Sequence, residues 1–497
     1  MDFIRNFPFF CIVLALASGV ISSVLRPKAA KALSFILISF SCICSFCVLY
    51  YTVQTGEAFT YMMGHFPAPW GNEIRAGVLE GVMASFFSVI MLLALLGGEK
   101  YLKADIEESK QNLYFVLVNL LLSSLLALVY TNDLFTAYVF VEINTIAAGG
   151  LIMIRSNGHS MLAATKYMIM SLLGSGLLLI GITLQYDLTG HLLMSNIQES
   201  IGELAAHGEY TVPLTVIIGL ISVGIAIKSA LFPFHAWLAD AYGYSTASSA
   251  AILSSLVSKA YIFLLIKIIY RVIGTGVFWD SKITNVFFVL GVAGMLFGSI
   301  SAIKECDMRR MIAFSSVAQI GYIYMGLGFG TKLGVTAAVF HIFSHAATKS
   351  MLFVACRGLS EVSGNKKDFS DLKGSGFRNR IAGVAFTVGA LSMVGVPLFA
   401  GFISKLYLTS AALETMSLKM AVGVIVLAVS TILNALYFIR AVISIYTPRN
   451  EHYRDAAFRP GMTFCAGMVC FIAINFLLGL ASHPLITAIE QGLQMFS

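Results

Sequence analysis

Charge is what this chain has least of. Asp, Glu, Lys and Arg make up 11% of its 497 residues, where a soluble domain carries about a quarter, so a water-exposed globular fold is excluded. Polar stretches of domain length are missing too. The longest connections between apolar runs, residues 54–75, 187–211 and 357–381, hold no soluble domain. Metal and redox signatures are thin. Cys42, Cys44 and Cys47 have a metal-like spacing but lie in an apolar run without a His or a second cysteine cluster nearby. Packing as small apolar side chains explains them. Nothing ligates a metal or cradles a nucleotide, so no cofactor is expected in this chain.

What the chain has instead is 58% hydrophobic residues. A bilayer-spanning helix needs about 20 apolar residues, and runs of that length recur from end to end. Fourteen spans are expected, near 7–25, 32–53, 76–98, 112–130, 134–154, 162–186, 212–236, 245–270, 283–303, 311–330, 334–356, 382–412, 420–446 and 461–482. The net charge of +7 raises nucleic acid as a partner, but its distribution points to the bilayer. Alternating loops collect 21 Lys and Arg on one side and 7 on the other, and the loop at 187–211 has none. That bias marks the cytoplasmic side and sets both termini on the outer side of a cell membrane. Residues 8–20 resemble a signal-peptide core, yet Arg5 is offset by Asp2, so the first span is expected to be retained.

Two spans are broken alike. The seventh carries Lys228 and then Pro233; the twelfth carries Pro397 and then Lys405. Proline removes a backbone donor and opens the helical ladder, which a bilayer tolerates only against protein or a wet cavity. The breaks lie five spans apart, and successive five-helix units have opposite orientations because five is odd. Inverted repeats with discontinuous helices mark many transporters. The expected fold is therefore an all-α integral membrane protein with two inverted five-helix repeats and discontinuous helices seven and twelve. The expected division is 1–111 (three helices and an interfacial hairpin around Phe66-Pro67-Ala68-Pro69-Trp70), 112–270 and 271–446 (the repeats), and 447–497 (a C-terminal helix).

Five charged residues fall well inside expected spans, away from their ends: Glu142, Lys228, Lys259, Lys349 and Lys405. Each costs about 2.5–3.5 kcal/mol at the bilayer centre, roughly 12–17 kcal/mol together before pairing. Structural ion pairing or snorkelling would explain one of them; five on five helices point to an ion path. Glu142 is the only carboxylate well inside a span, and Lys228 is its natural partner. Each favours the other's charged form while burial favours both neutral forms, so a neighbouring charge can load or release a proton. Lys259 follows as a receiver. His341, His345 and Lys349, at steps of four, share one helix face and form a relay of groups that titrate near neutrality. A His–His metal site is the rival, but it lacks further ligands. His235 and Asp240 after the first break serve either as an entry port or as helix capping, and Asp307 braces a loop.

These residues resemble the antiporter-like subunits of respiratory complex I, the Mrp-type cation/proton antiporters and the membrane-bound hydrogenases. The marks are Asp133-Leu134-Phe135 leading to Glu142, the run Lys228 to Leu238, Asp307–Arg310 running into Ala313–Ser316, His345–Lys349, and Gly401–Lys405. The resemblance implies that Glu142 and Lys228 form the coupling ion pair, Lys259 and His345 or Lys349 the central relay, and Lys405 the outward terminus. It also implies a place among other membrane subunits of an antiporter or respiratory complex, moving protons, with Na+ as the further candidate ion and the Mrp D-type subunit most similar. A quinone-linked complex I subunit is the alternative, and a self-contained secondary transporter is disfavoured for want of a polar solute pocket. Any electron transfer would belong to partners.

Overall fold

A segment crossing lipid must satisfy its backbone hydrogen bonds internally, which leaves helices as the solution for a chain of long apolar runs. The computed structural model describes residues 2–66, 71–208, 210–448 and 458–496. In chain order the helices are α1 (Phe7–Val24), α2 (Pro27–Thr55), α3 (Val78–Asp105), α4 (Gln111–Tyr130), α5 (Leu134–Met153), α6 (Gly158–Thr189), α7 (Met194–Ala206) and α8 (Thr211–Lys228). Then come α9 (Leu238–Tyr244), α10 (Ala247–Ile252), α11 (Ser258–Ile268), α12 (Thr275–Asp280), α13 (Ile283–Lys304), α14 (Met308–Gly328) and α15 (Lys332–Glu361). The last are α16 (Ser375–Arg378), α17 (Arg380–Val394), α18 (Ala400–Glu414), α19 (Leu418–Tyr446), α20 (Met462–Leu480) and α21 (His483–Gln494).

Among the described residues, thirteen helical runs are long and apolar enough to cross a membrane. The expected seventh span ends as a helix at Lys228, and residues 229–237, Pro233 among them, are non-helical before α9. The expected twelfth is two helices, α17 and α18, parted at residues 395–399 with Pro397 between them. Ala230 and Leu398 take left-handed backbone in these breaks, with φ of +61° and +81°. The expected hairpin is present as β1 (Phe59–Met62) and β2 (Glu73–Ala76), paired antiparallel from Phe59↔Ala76 to Met62↔Glu73. Its tip, Pro67 to Trp70, lies outside the described residues, as do Arg449 and Arg454 of the loop-charge count.

Three findings depart from the expected layout. Within the expected connection at 187–211, residues Met194–Ala206 form a helix, α7, that buries Met194, Ile197 and Ile201. The C-terminal segment holds two helices rather than one, and α21 packs its Gly492 against Leu79 of α3. Lys267, one of the 7 cations counted to the outer side although the span at 245–270 reaches it, is wholly buried and donates to the carbonyls of Val129 (2.8 Å) and Thr131 (2.6 Å). Near that end Glu80, wholly buried, accepts from Arg75 at 2.8 Å. These charges sit close enough to span ends to read as loop residues in a hydropathy trace.

The layering positions the site. The run Ala247–Ile273 and the apolar stretch of α15 are enclosed completely by other helices. Glycine permits close contact beside them: a Cβ on Gly321 of α14 would lie 2.6 Å from the Gly291 carbonyl of α13. Small residues allow such approach between membrane helices. The outer helices instead show large apolar side chains, such as Ile43, Leu173 and Ile432.

Candidate functional site

The charged residues sit on α5, α8, α11, α15 and α18. Asp133 caps α5 by accepting from the Thr136 amide, and α5 then carries Glu142 toward α6 and α8. Glu142 Oε1 lies 3.5 Å from Lys228 Nζ and accepts a hydrogen bond from Ser175 of α6. The pair is asymmetric: the Lys228 side chain is 1% exposed and that of Glu142 27%. Lys228 ends α8, where a cation faces the negative end of the helix dipole. Its ammonium also donates to Thr145 Oγ1 at 2.7 Å and lies 5.5 Å from the Tyr261 ring centre. Tyr261 stands 3.4 Å from the Thr145 hydroxyl and donates to Asn144 at 3.0 Å. The polar line thereby passes from α5 and α8 to α11.

Lys259 is wholly buried on α11, just after a π-helical turn at Leu253–Val257. Such turns occur often at functional sites. Here Lys259 Nζ donates to the Ser254 carbonyl within the turn. Helix α15 presents His341 and His345 as near-parallel rings, 6.0 Å apart and 8° from coplanar orientation. His341 Nε2 and both ring nitrogens of His345 are buried without hydrogen-bond partners among the described residues. Lys349 donates to the Ile312 carbonyl at 2.8 Å and to Ser315 Oγ.

The line ends at the second break. His341 Nδ1 bonds Ser404 of α18, and Tyr322 stacks on His341 at 5.3 Å. Lys405 Nζ also lies over the Tyr322 ring, 5.6 Å from its centre. Lys405 donates to the Val394 carbonyl, at the last residue of α17, at 2.7 Å and to Thr431 at 3.0 Å. Tyr322 donates onward to Ser430 at 3.0 Å. The structure thus brings Glu142 with Lys228, and His341 with both His345 and, through Tyr322, Lys405. Lys259 and Lys349 each bond to a backbone carbonyl and not to a histidine.

The flanking candidates fall at the rim. His235 stacks on Phe232 at 5.4 Å, with Nδ1 buried and unpartnered among the described residues. Asp240, outside the spanning helices, bonds Lys166 at 2.6 Å and also Arg310. Burial pushes its carboxyl pKa up, but these two cations outweigh that and hold it below its ordinary 3.8. Asp307 caps α14, accepting from the amides of Arg309 (2.7 Å) and Arg310 (3.0 Å). Ser175, Thr145, Tyr261, Tyr322 and Ser404 were not singled out in sequence. The one signal they give is a hydroxyl within reach of a buried charge. Among the described residues no three His, Cys, Asp or Glu side chains gather closely enough to hold a metal ion.

The chain is similar in sequence and fold to known membrane proteins. Relatives include the N-type subunit of the NADH-quinone oxidoreductase of Desulforudis audaxviator, 35% identical over 398 residues, covering 80% of this chain and 77% of that protein. Another is the D-type subunit of the Na(+)/H(+) antiporter of Alkalihalophilus pseudofirmus, 26% identical and covering 85% and 83%. In fold, the chain matches one from the membrane-bound sulfane sulfur reductase, an archaeal respiratory membrane complex, with TM-score 0.88 at 24% identity, covering 100% and 98%. It matches one from the Mrp complex of Dietzia sp. DQ12-45-1b with TM-score 0.87 at 24% identity, covering 99% and 97%. The family model described as "NADH:quinone oxidoreductase/Mrp antiporter, TM" matches residues 131–433, and the chain belongs to that family.

Proposed function

We propose that this chain is the proton-translocating subunit of a multisubunit membrane complex, of the Mrp or hydrogenase-like respiratory type. Protons pass along Glu142, Lys228, Lys259, His345 with Lys349, His341 and Lys405. The observation that carries this reading is the polar line itself, from the Glu142–Lys228 contact at 3.5 Å to Lys405 at the second break. A charged residue buried in lipid persists for function by default. Moving the Glu142 carboxylate relative to Lys228 changes the field on Lys259, which is how a coupling step in a partner would drive the relay. His235 suits entry of water at the first break, and Asp240 braces that rim.

The same reading takes residues 112–270 and 271–446 as inverted five-helix repeats, with fourteen crossings and both termini outward. Its support is positional: the break falls in the fourth crossing of each set, after Lys228 in one and before Lys405 in the other. Partner subunits are part of the proposal because Glu142 is 27% exposed on the bundle surface, in the middle of a span.

A second reading, a complex I membrane subunit with a quinone-linked role, is favoured by the 35% identity to the N-type oxidoreductase subunit against 26% to the D-type antiporter subunit. Flux in everted vesicles holding the whole complex tests both. Glu142→Gln and Lys228→Ala are expected to cut coupled proton flux at least about tenfold, which ~1.4 kcal/mol on the rate-limiting barrier suffices to do. Unchanged flux would sink the ion-pair reading. Flux driven by a sodium gradient supports the Mrp type, and flux driven only by quinone reduction supports the second.

A further inference from the structure

One charged cluster takes no part in the relay. At the end of the bundle rich in Lys and Arg, a cavity of about 180 Å3 is lined by Asp105, Arg155, Arg309, Arg357 and Lys367, with Asn365 beside them. These residues come from the last turn of α3, the α5–α6 connection, the first turn of α14, the last turns of α15 and the loop that follows it. Four cations face one carboxylate. Asp105, whose side chain is 7% exposed, lies 3.6 Å from Arg155 Nη2 and equally far from Arg357 Nη2. Charge-assisted bonds close to about 2.7–2.9 Å, so neither guanidinium is fully engaged.

The cations are anchored from behind, mainly by neutral oxygens. Arg309 Nη2 donates to the Ser245 and Thr246 carbonyls at 2.6 and 2.7 Å. Arg155 donates to the Tyr244 carbonyl at 3.3 Å, Lys367 to that of Gly243 at 3.1 Å, and Arg357 to Asn365 Oδ1 at 2.7 Å. Arg309 is 4% exposed, and its Nε is buried with no partner among the described residues. A buried guanidinium N–H left unpaired is costly. Lys367, in the loop outside the membrane, feels the crowding: burial first, then Arg309, lowers its ammonium pKa to about 8.

We propose that this cavity binds a phosphate group, held by Arg309, Arg357, Arg155 and Lys367. Guanidinium forks match the paired oxygens of a tetrahedral oxyanion, which a spherical chloride cannot engage in the same way. The volume equals roughly six waters at ~30 Å3 each, enough for a phosphate and part of its hydration. Asp105 stays with Arg155 and Arg357 as a partial counter-charge. Inorganic phosphate and the headgroup of an anionic phospholipid offer the same chemistry.

The test uses the full chain in its complex, purified in detergent and stripped of lipid. Inorganic phosphate is titrated against chloride at equal ionic strength, and thermal unfolding is followed. A saturable rise in Tm with phosphate alone is expected, with apparent affinity at least about tenfold weaker in Arg357→Gln/Lys367→Gln, as loss of charge-assisted bonds predicts. This pair is chosen because Arg309 also anchors the α9–α10 connection, and its loss would confound folding with binding. Absence of a phosphate-specific rise, or an equal rise in the variant, overturns the proposal. Repeating the titration in phosphatidylglycerol and phosphatidylcholine nanodiscs separates the sources. Loss of the phosphate effect only in phosphatidylglycerol assigns the site to a lipid headgroup; persistence in both assigns it to the free anion.

Discussion

A charge inside an apolar run stands out because lipid penalises it, so Glu142, Lys228, Lys259, Lys349 and Lys405 were legible as residues without any fold. Their partners were not. Ser175, Thr145 and Ser404 are hydroxyls, and hydroxyls occur throughout membrane helices, often bonded to their own backbone as Thr165 is to Met161. Only the fold tells which of them meets a charge. Lys267 was misread for a different reason: a lysine near a span end looks the same in sequence whether it snorkels to water or, as here, bonds two carbonyls. Asp240 offers a direct residue-scale test. Its folded carboxyl is held below the ordinary 3.8 by Lys166 and Arg310, against the effect of burial. The stabilisation is thus fully present above the unfolded pKa and is lost as pH falls through the lower folded value. Asp240→Asn is expected to reduce stability by about 1 kcal/mol at neutral pH, the upper range for a partly exposed pair. The difference in Tm between the two proteins should vanish well below pH 4; a difference independent of pH would show that the ion pairs do not cause it.

The element scale explains where the lysines find support. Lys259, Lys349 and Lys405 each donate to a main-chain carbonyl: Ser254 in the π turn, Ile312 near the start of α14, and Val394 at the end of α17. Two of these carbonyls lie where helical geometry is interrupted, and Lys228 itself ends a helix. Prolines 233 and 397 announced the two breaks in sequence. The π turn had no such announcement, because Leu253–Val257 contains neither proline nor glycine. At the second break Gly395 has φ of +92°, and a Cβ there would lie 2.9 Å from Lys405 Cδ. Gly395→Ala is therefore expected to lose about 1–2 kcal/mol to left-handed strain and also to displace Lys405. Gly190→Ala is the control: its φ is +72°, and nothing lies within 4 Å of the added carbon. Both variants should unfold at lower temperature, and only Gly395→Ala should also lose coupled flux. Equal flux in the two would mean that the position of Lys405 does not matter to transport.

At the scale of the molecule, the spans were countable from hydropathy, but which of them lie inside was not. Ala247–Ile273 and the apolar stretch of α15 are enclosed entirely, while α6 and α20 stand largely at the surface, yet all four read as apolar runs. In water, burial sorts apolar from polar faces; in lipid the outside is as apolar as the core, and that contrast disappears. What remains is a weaker cue, the serines of the enclosed run, among them Ser248, Ser249, Ser254 and Ser255. The outer surface carries the last argument. Glu142, 27% exposed, opens onto a face where Val139, Ile146 and Leu172 are exposed as well. Next to it Leu172, Leu173, Gly176 and Ile227 line an apolar groove of about 610 Å3. Left against acyl chains, a mid-span carboxylate costs about 2.5–3.5 kcal/mol on insertion scales. A helix of a neighbouring subunit laid over this face shields it and, if it carries a titratable group, couples that group to the Glu142–Lys228 pair. A photo-reactive side chain installed at Ile146 or Leu172 in native membranes is therefore expected to give an adduct with one discrete subunit of the complex. Adducts with lipid alone would mean that Glu142 faces the bilayer, and the input to the relay would have to enter elsewhere.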